Sequence, residues 1–276
     1  MKRIMTIQDI SCLGKCSLTV ALPIISAMGV ECAIVPTAVL STHPKFPGFT
    51  FRDLTGEMAP IAEHWKRSGF QFDAIYTGYL GSYEQIRLVG EYIDRFKTED
   101  TLVFIDPVMA DHGKLYTGFD EVFAREMAKL CARADIIVPN LTEACFLTGT
   151  PYREDGDAAY IRDLLHRLAG LGAKKVVLTG VCDCPGKAGV TGMDAATGEI
   201  FTCVHDKVDA TYHGTGDIFS STTVGALMRG KSLPEALALA GEFTKECIRV
   251  TVESGKQERY GVDFERVLPD LVLQMR

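Results

Sequence analysis

His213-Gly214-Thr215-Gly216-Asp217 stands directly before a segment with helical patterning. Gly214 and Gly216 let the main chain bend sharply and approach a ligand with no Cβ in the way. A helix that starts here points its unpaired N–H groups and the positive end of its dipole at the loop, which makes an anion site. Such a site stabilises charge that builds up on a transferring phosphoryl group. Asp217 falls in the first helical turn and adds a carboxylate able to take a proton from an alcohol. Asp is also a favoured helix cap, so residue type alone does not decide its role. The residues that follow do more. Ser220, Ser221, Thr222, Thr223, Gly225 and Ala226 are small. They allow close packing, so the helix is expected to be buried with its N-terminus facing a cleft. The dipole should favour the ionised form of Asp217 and weaken it as a base. Phosphoryl transfer tolerates this, because its transition state is loose and the hydroxyl proton leaves late.

Other nucleotide signatures are missing. Gly14-Lys15 is followed by Cys16, and Gly186-Lys187 by Ala188, so neither makes a P-loop. Phe219 stands where a dinucleotide fingerprint starting at Gly214 needs Gly or Ala. The protein-kinase catalytic loop is absent. The nine Cys have no framework spacing. Cys12/Cys16 and Cys182/Cys184 lack a matching second pair, so reduced, structural thiols are expected rather than a metal site.

The elements that must carry this chemistry follow from the apolar pattern. Short apolar runs at 3–7, 32–36, 73–77, 102–105, 135–138 and 175–179 alternate with helical patterns. The helical stretches are 15–28, 53–69, 83–97, 119–132, 141–148, 157–170, 216–229, 233–253 and 263–274. This alternation predicts βαβ units, a mostly parallel sheet and helices on both faces. Runs 188–192 and 199–204 flank Thr197-Gly198 and predict an antiparallel hairpin on the sheet edge. Ligands of such sheets sit beyond the carboxyl ends of the strands. Those ends read Gln8-Asp9, Thr37 with Ser41-Thr42-His43, Thr77-Gly78-Tyr79, Asp106-Pro107, Pro139-Asn140 and Thr179-Gly180. Six polar ends in order predict one shared cleft. The 276 residues are expected to form one α/β domain.

Asp209-x4-Gly214-Thr215-Gly216-Asp217 resembles the signature of ribokinase-like enzymes, above all the vitamin B6 kinases. Gly78-Tyr79-Leu80-Gly81-Ser82, Asp106-Pro107-Val108-Met109 and Asn140-Leu141-Thr142-Glu143 resemble their motifs in the same order. The resemblance runs from about residue 3 to 270 and implies a ribokinase-like three-layer α/β/α fold. It implies ATP and Mg²⁺, with Asp217 as base and the amides of Gly214, Thr215 and Gly216 holding the developing charge. It places Asp106, Thr179, Lys114, Asn140 and Glu143 near the nucleotide. Asn140, Glu143 and Asp106 would organise the metal, Asn140 and Glu143 through water. Residues 107–118 resemble a mobile loop that closes over ATP and excludes water. Asp9, Ser41, His43 and Tyr79 fall on the substrate side. Family members commonly carry Ser where this chain has Asp9, Tyr near Leu13 and Thr near Pro44. A carboxylate at position 9 hints at an amine-bearing vitamer, or at the aminopyrimidine of hydroxymethylpyrimidine kinases.

The implied activity is ATP-dependent phosphorylation of the 5'-hydroxymethyl group of a B6 vitamer. The alternatives are a hydroxymethylpyrimidine kinase and, from another class, a non-catalytic ligand-binding module. The latter would need a damaged site, and Gly214, Gly216 and Asp217 are intact. Net charge is −7, and no basic cluster stands out, so no nucleic-acid partner is expected. No apolar run reaches the length of a membrane span or signal peptide, so a cytoplasmic protein is expected. Related enzymes imply a homodimer.

Overall fold

The computed structural model describes residues 1–181, 186–255 and 260–275. Its centre is a nine-stranded sheet in the order β11-β10-β9-β8-β5-β4-β1-β2-β3. The strands are β1 (Arg3–Leu13), β2 (Glu31–Thr42), β3 (Phe51–Asp53), β4 (Ala74–Thr77), β5 (Leu102–Ile105), β8 (Ile136–Ile137), β9 (Lys175–Thr179), β10 (Lys187–Asp194) and β11 (Ile200–Asp206). Strands β9 to β2 run parallel, while β10, β11 and β3 add antiparallel edges. β6 (Ala110–Asp111) and β7 (Lys114–Leu115) form a separate small hairpin.

Alternation along the strands divides the core into two layers. Met5, Ile7, Ile75, Val103, Ile105, Val176 and Leu178 bury one sheet face against α2 (Thr55–Arg67), α3 (Tyr83–Phe96), α4 (Glu121–Cys131), α5 (Leu141–Thr148) and α6 (Ala158–Ala169). Ile4, Ala74, Tyr76, Phe104, Ile136 and Val177 bury the other against α1 (Leu18–Ala27), α7 (Thr215–Met228) and α8 (Leu233–Glu253). α9 (Leu268–Gln274) packs outside them, against α1. The result is the ribokinase-like α/β/α sandwich, with the predicted hairpin at the edge.

Three elements depart from expectation. β1 and β2 run on to Leu13 and Thr42, so Asp9, Thr37, Ser41 and Thr42 lie within strands rather than after them. Past Gln8 the two strands pair mainly with each other, and the antiparallel β3 extends this flange. The predicted helix 263–274 is broken into a 3-10 turn (Phe264–Arg266) and α9, with Pro269 in the first turn of α9. Residues 107–118, expected as a loop that closes over the nucleotide, contain the short β6–β7 hairpin. Cys182 and Cys184 lie outside the described residues. The other seven cysteines are free, and among the described residues no group of three His, Cys, Asp or Glu has metal-binding geometry.

Candidate active site

Gly214 precedes α7 with φ 83°, a left-handed conformation. A Cβ there would also lie 2.0 Å from the Lys15 carbonyl oxygen, so only glycine fits. Gly216 differs. It lies in the helix, and a Cβ would meet nothing within 4 Å. The sharp bend therefore comes from Gly214 alone, while the space beside Gly216 is open. The Thr215 hydroxyl donates to the Tyr212 carbonyl, leaving its N–H at the start of the helix.

Asp217 sits one turn in, half-buried at the cleft. Burial pushes its carboxyl up to about 7, and the charges of Asp106 and Asp9 add to this, against the backbone N–H of Ser17, which draws it down. The expectation that the helix dipole keeps Asp217 weakly basic is thus reversed. Desolvation leaves a carboxyl poised near neutrality.

Asp106 follows β5 and is 6% exposed. The Ser220 hydroxyl, one turn below Asp217 on α7, donates to its Oδ2 at 2.7 Å. Burial raises the Asp106 carboxyl to about 7 against the Ser220 bond, and burial, with the Asp106 charge adding, raises Glu143 well above its ordinary value. Glu143 and Asn140 form a capping box at the start of α5: Asn140 Oδ1 accepts from the Glu143 amide at 2.9 Å and Glu143 Oε2 from the Asn140 amide at 2.8 Å. Both also hold the hairpin, since Asn140 Nδ2 donates to the Ala110 carbonyl and the Met109 amide donates to Glu143 Oε1. The Gly113 amide adds a bond to Thr142 Oγ1 at 3.0 Å. Residues expected to order a metal thus dock the 107–118 segment onto α5. Lys114 is exposed on that hairpin. The Thr179 hydroxyl, at the end of β9, donates to the Pro139 carbonyl at 3.3 Å, in a parallel bridge with Asn140.

On the other side of Asp217, Asp9 is 5% exposed and lies at the irregularity in the β1–β2 register. Burial raises the Tyr79 phenol and the nearby Asp9 charge adds to this, and its ring packs on Phe119 at 5.6 Å, which stacks on Phe123 at 4.0 Å. His43 is buried, with its ring 4.3 Å from that of His213. Ser41 is not gathered into this group. It is exposed on the flange, where its Oγ accepts from the Thr50 amide at 2.8 Å.

Four participants were not singled out from the sequence. By type Ser220 is only a small packing residue, although its spacing of three from Asp217 puts both on one helix face. His213 sits in the signature itself, and burial, with His43 and Lys45 adding, pushes it down to about 3, so it is neutral. The backbone of Lys15 braces Gly214, and its side chain binds Asp263 at 2.9 Å and Glu265 at 2.6 Å. Gln85, buried in α3, accepts from the Gly81 amide and donates to Thr37 O and Thr55 Oγ1, setting the loop that carries Tyr79. Neither long-range contact leaves a local trace in the chain.

A family model described as phosphomethylpyrimidine kinase matches residues 23–261. The chain belongs to this family. The pyridoxine/pyridoxal/pyridoxamine kinase of Bordetella avium is 31% identical over 264 residues, 90% of this chain and 85% of that protein. A Bacteroides thetaiotaomicron protein solved with pyridoxal is 42% identical, with a TM-score of 0.92 over 98% of this chain and 95% of that one. The pyridoxal kinase of Lactobacillus plantarum is 31% identical, with a TM-score of 0.91 over 100% and 98%. This phosphomethylpyrimidine kinase family member is an ATP-dependent kinase, and the cleft above its parallel strands is where its carboxylates converge. No helix among the described residues is long and apolar enough to cross a membrane.

Proposed function

We propose that this kinase transfers the γ-phosphoryl group of ATP to the 5'-hydroxymethyl oxygen of a vitamin B6 alcohol. The observation that carries this reading is the carboxyl of Asp217, poised near neutrality one turn beyond a left-handed Gly214. The named B6 kinases among its relatives support the choice of acceptor.

In this reading Asp217 orients the hydroxyl and takes its proton late, as oxygen–phosphorus bonding advances. The amides of Gly214, Thr215 and Gly216 donate to the transferring phosphoryl oxygens. Gly216 offers no side chain to obstruct them. Thr179 and Lys114 line the nucleotide side, and the hairpin docked by Asn140, Glu143 and Thr142 covers it and excludes water. Tyr79, His43 and Asp9 belong to the acceptor side, while Ser41, exposed on the flange, does not.

The residues fit a magnesium ion. Asp106 and Glu143 are hard oxygen donors, buried and mutually repelling, so a divalent cation relieves a cost already present. Asp106 and Glu143 would hold it, with Asn140 fixing the Glu143 main chain. Glu143 uses both oxygens on backbone amides, which favours contact through water. Such an ion supplies charge neutralisation on the phosphates. A homodimer in the cytoplasm, each chain one catalytic domain, completes the reading.

The family description favours one second reading, a hydroxymethylpyrimidine kinase on the same base and anion site. Purified protein with ATP and Mg²⁺ should phosphorylate pyridoxal, pyridoxamine or pyridoxine faster than hydroxymethylpyrimidine. Turnover of hydroxymethylpyrimidine alone would replace the first reading with the second.

A further inference from the structure

Among the described residues the Asp9 carboxylate has no positive partner. Its Oδ2 accepts the Ser11 hydroxyl at 3.4 Å, and the Ser17 side chain also hydrogen-bonds to the carboxylate. Both donors are neutral. No Lys, Arg or His among the described residues pairs with it, and the two bases nearest in sequence are taken, Arg3 by Glu31 and Lys15 by Asp263 and Glu265. With 5% of its surface exposed, solvent cannot stand in for a partner. A buried, unpaired carboxylate is costly to retain.

The backbone aims it deliberately. Gln8 pairs with Pro36 and Ile10 with Val39, so β2 spends one more residue than β1 across Asp9. Such irregularities re-aim side chains beside functional sites. The groups that feel its charge are Asp217, Tyr79 and Cys16, so it lies in the cleft wall between the base and the aromatic side. Two neighbouring carboxylates leave that wall short of positive charge, and His213, held neutral, does not provide it.

We propose that Asp9 receives a cationic amino group of the acceptor alcohol, making the amine-bearing member of the substrate class the preferred one. This rests on the B6-alcohol reading above. Pyridoxamine carries an aminomethyl cation on the ring carbon adjacent to the one bearing the hydroxymethyl group. With that hydroxyl on Asp217, the amine falls beside it, where Asp9 stands. Pyridoxine has an uncharged hydroxymethyl group of nearly the same size at that position. Pairing leaves Asp9 ionised beside Asp217 with its charge compensated.

The test compares kcat/KM for pyridoxamine and pyridoxine, and their affinities by calorimetry without nucleotide, in the parent protein and in Asp9→Asn. A charge-assisted hydrogen bond predicts a preference for pyridoxamine of about 10- to 100-fold in the parent. Asp9→Asn should remove most of that ratio, chiefly through the KM and Kd of pyridoxamine. Equal affinities in the parent, or an undiminished ratio in Asp9→Asn, overturn the proposal. The parent's calorimetric ratio decides the matter should Asp9→Asn not fold. Absence of turnover with either alcohol counts against the kinase reading, while the calorimetric preference still judges Asp9.

Discussion

Ser220 on α7 and Asp106 at the end of β5 are 114 residues apart in sequence, and the hydroxyl of one donates to the carboxylate of the other at 2.7 Å. This bond ties the helix that carries Asp217 to the strand end that carries the buried acid of the nucleotide side. It gives the polar face of α7 a fixed register on the sheet. In the first two turns of this helix, Ser220, Ser221 and Thr222 take the buried positions that apolar side chains would fill elsewhere.

Removing that donor leaves Asp106 buried with an unmet acceptor. Ser220→Ala should cost about 1–3 kcal/mol of stability, and raise KM for ATP because Asp106 drifts. Thermal unfolding and steady-state kinetics check both. A variant with parental Tm and KM would show that the bond does not position Asp106.

Asp217→Asn should lower kcat by on the order of 10²–10⁴-fold while ATP still binds. It should also stabilise the fold at high pH. The Asp217 carboxyl titrates near 7 in the folded chain, above its ordinary value of 3.8, so the folded state holds the proton more tightly than the unfolded state. That contribution is present below the unfolded value and is lost as pH rises through about 7. The gain in Tm from Asp217→Asn should therefore be larger at pH 8 than at pH 5. An equal gain at both would contradict the raised titration.

The same carboxyl predicts the pH profile of the parent enzyme. The base acts ionised, so kcat/KM should rise with pH through about 7 and level off above it. A profile flat from pH 5.5 to 8.5 would assign the proton to another group.

The two signature glycines should fail differently. Gly214→Ala meets the Lys15 carbonyl and a left-handed φ, and should destabilise by more than about 2 kcal/mol. Gly216→Ala has room and a helical backbone, so it should fold normally. Its methyl group would stand in front of the amides and raise KM for ATP several-fold. Parental KM in Gly216→Ala would place the phosphates elsewhere.

Asn140→Asp keeps the oxygen that caps the Glu143 amide but loses the donor to Ala110. Hydrogen exchange in 110–115 should speed up, and KM for ATP should rise. Unchanged exchange would mean that the hairpin is held without this bond.

Much of the fold was legible in the chain. The runs 102–105, 175–179 and 141–148 coincide with β5, β9 and α5. Buried strands and amphipathic helices advertise themselves through periodicity that acts over a few residues. β3 was not legible: Phe51–Asp53 is three residues long, exposed, and a strand only because β2 continues far enough to pair with it. The continuation of β1 past Gln8 has the same cause, since Ile10 and Ser11 are held by Val39 and Leu40 rather than by any local preference.

By itself the sequence determined that a Gly-rich turn opens a helix of small residues, that an aspartate stands in its first turn, and that polar residues gather toward the carboxyl ends of the parallel strands. These are properties of residue type and spacing. Tertiary structure alone decided what those residues are chemically. Desolvation by the surrounding layers moved Asp217 toward neutrality, against the dipole of its own helix. Packing set Ser220 on Asp106 and left Asp9 buried without a countercharge among the described residues. Ionisation depends on the water removed and on the charges brought near, and both are fixed by distant segments that meet only in the folded chain.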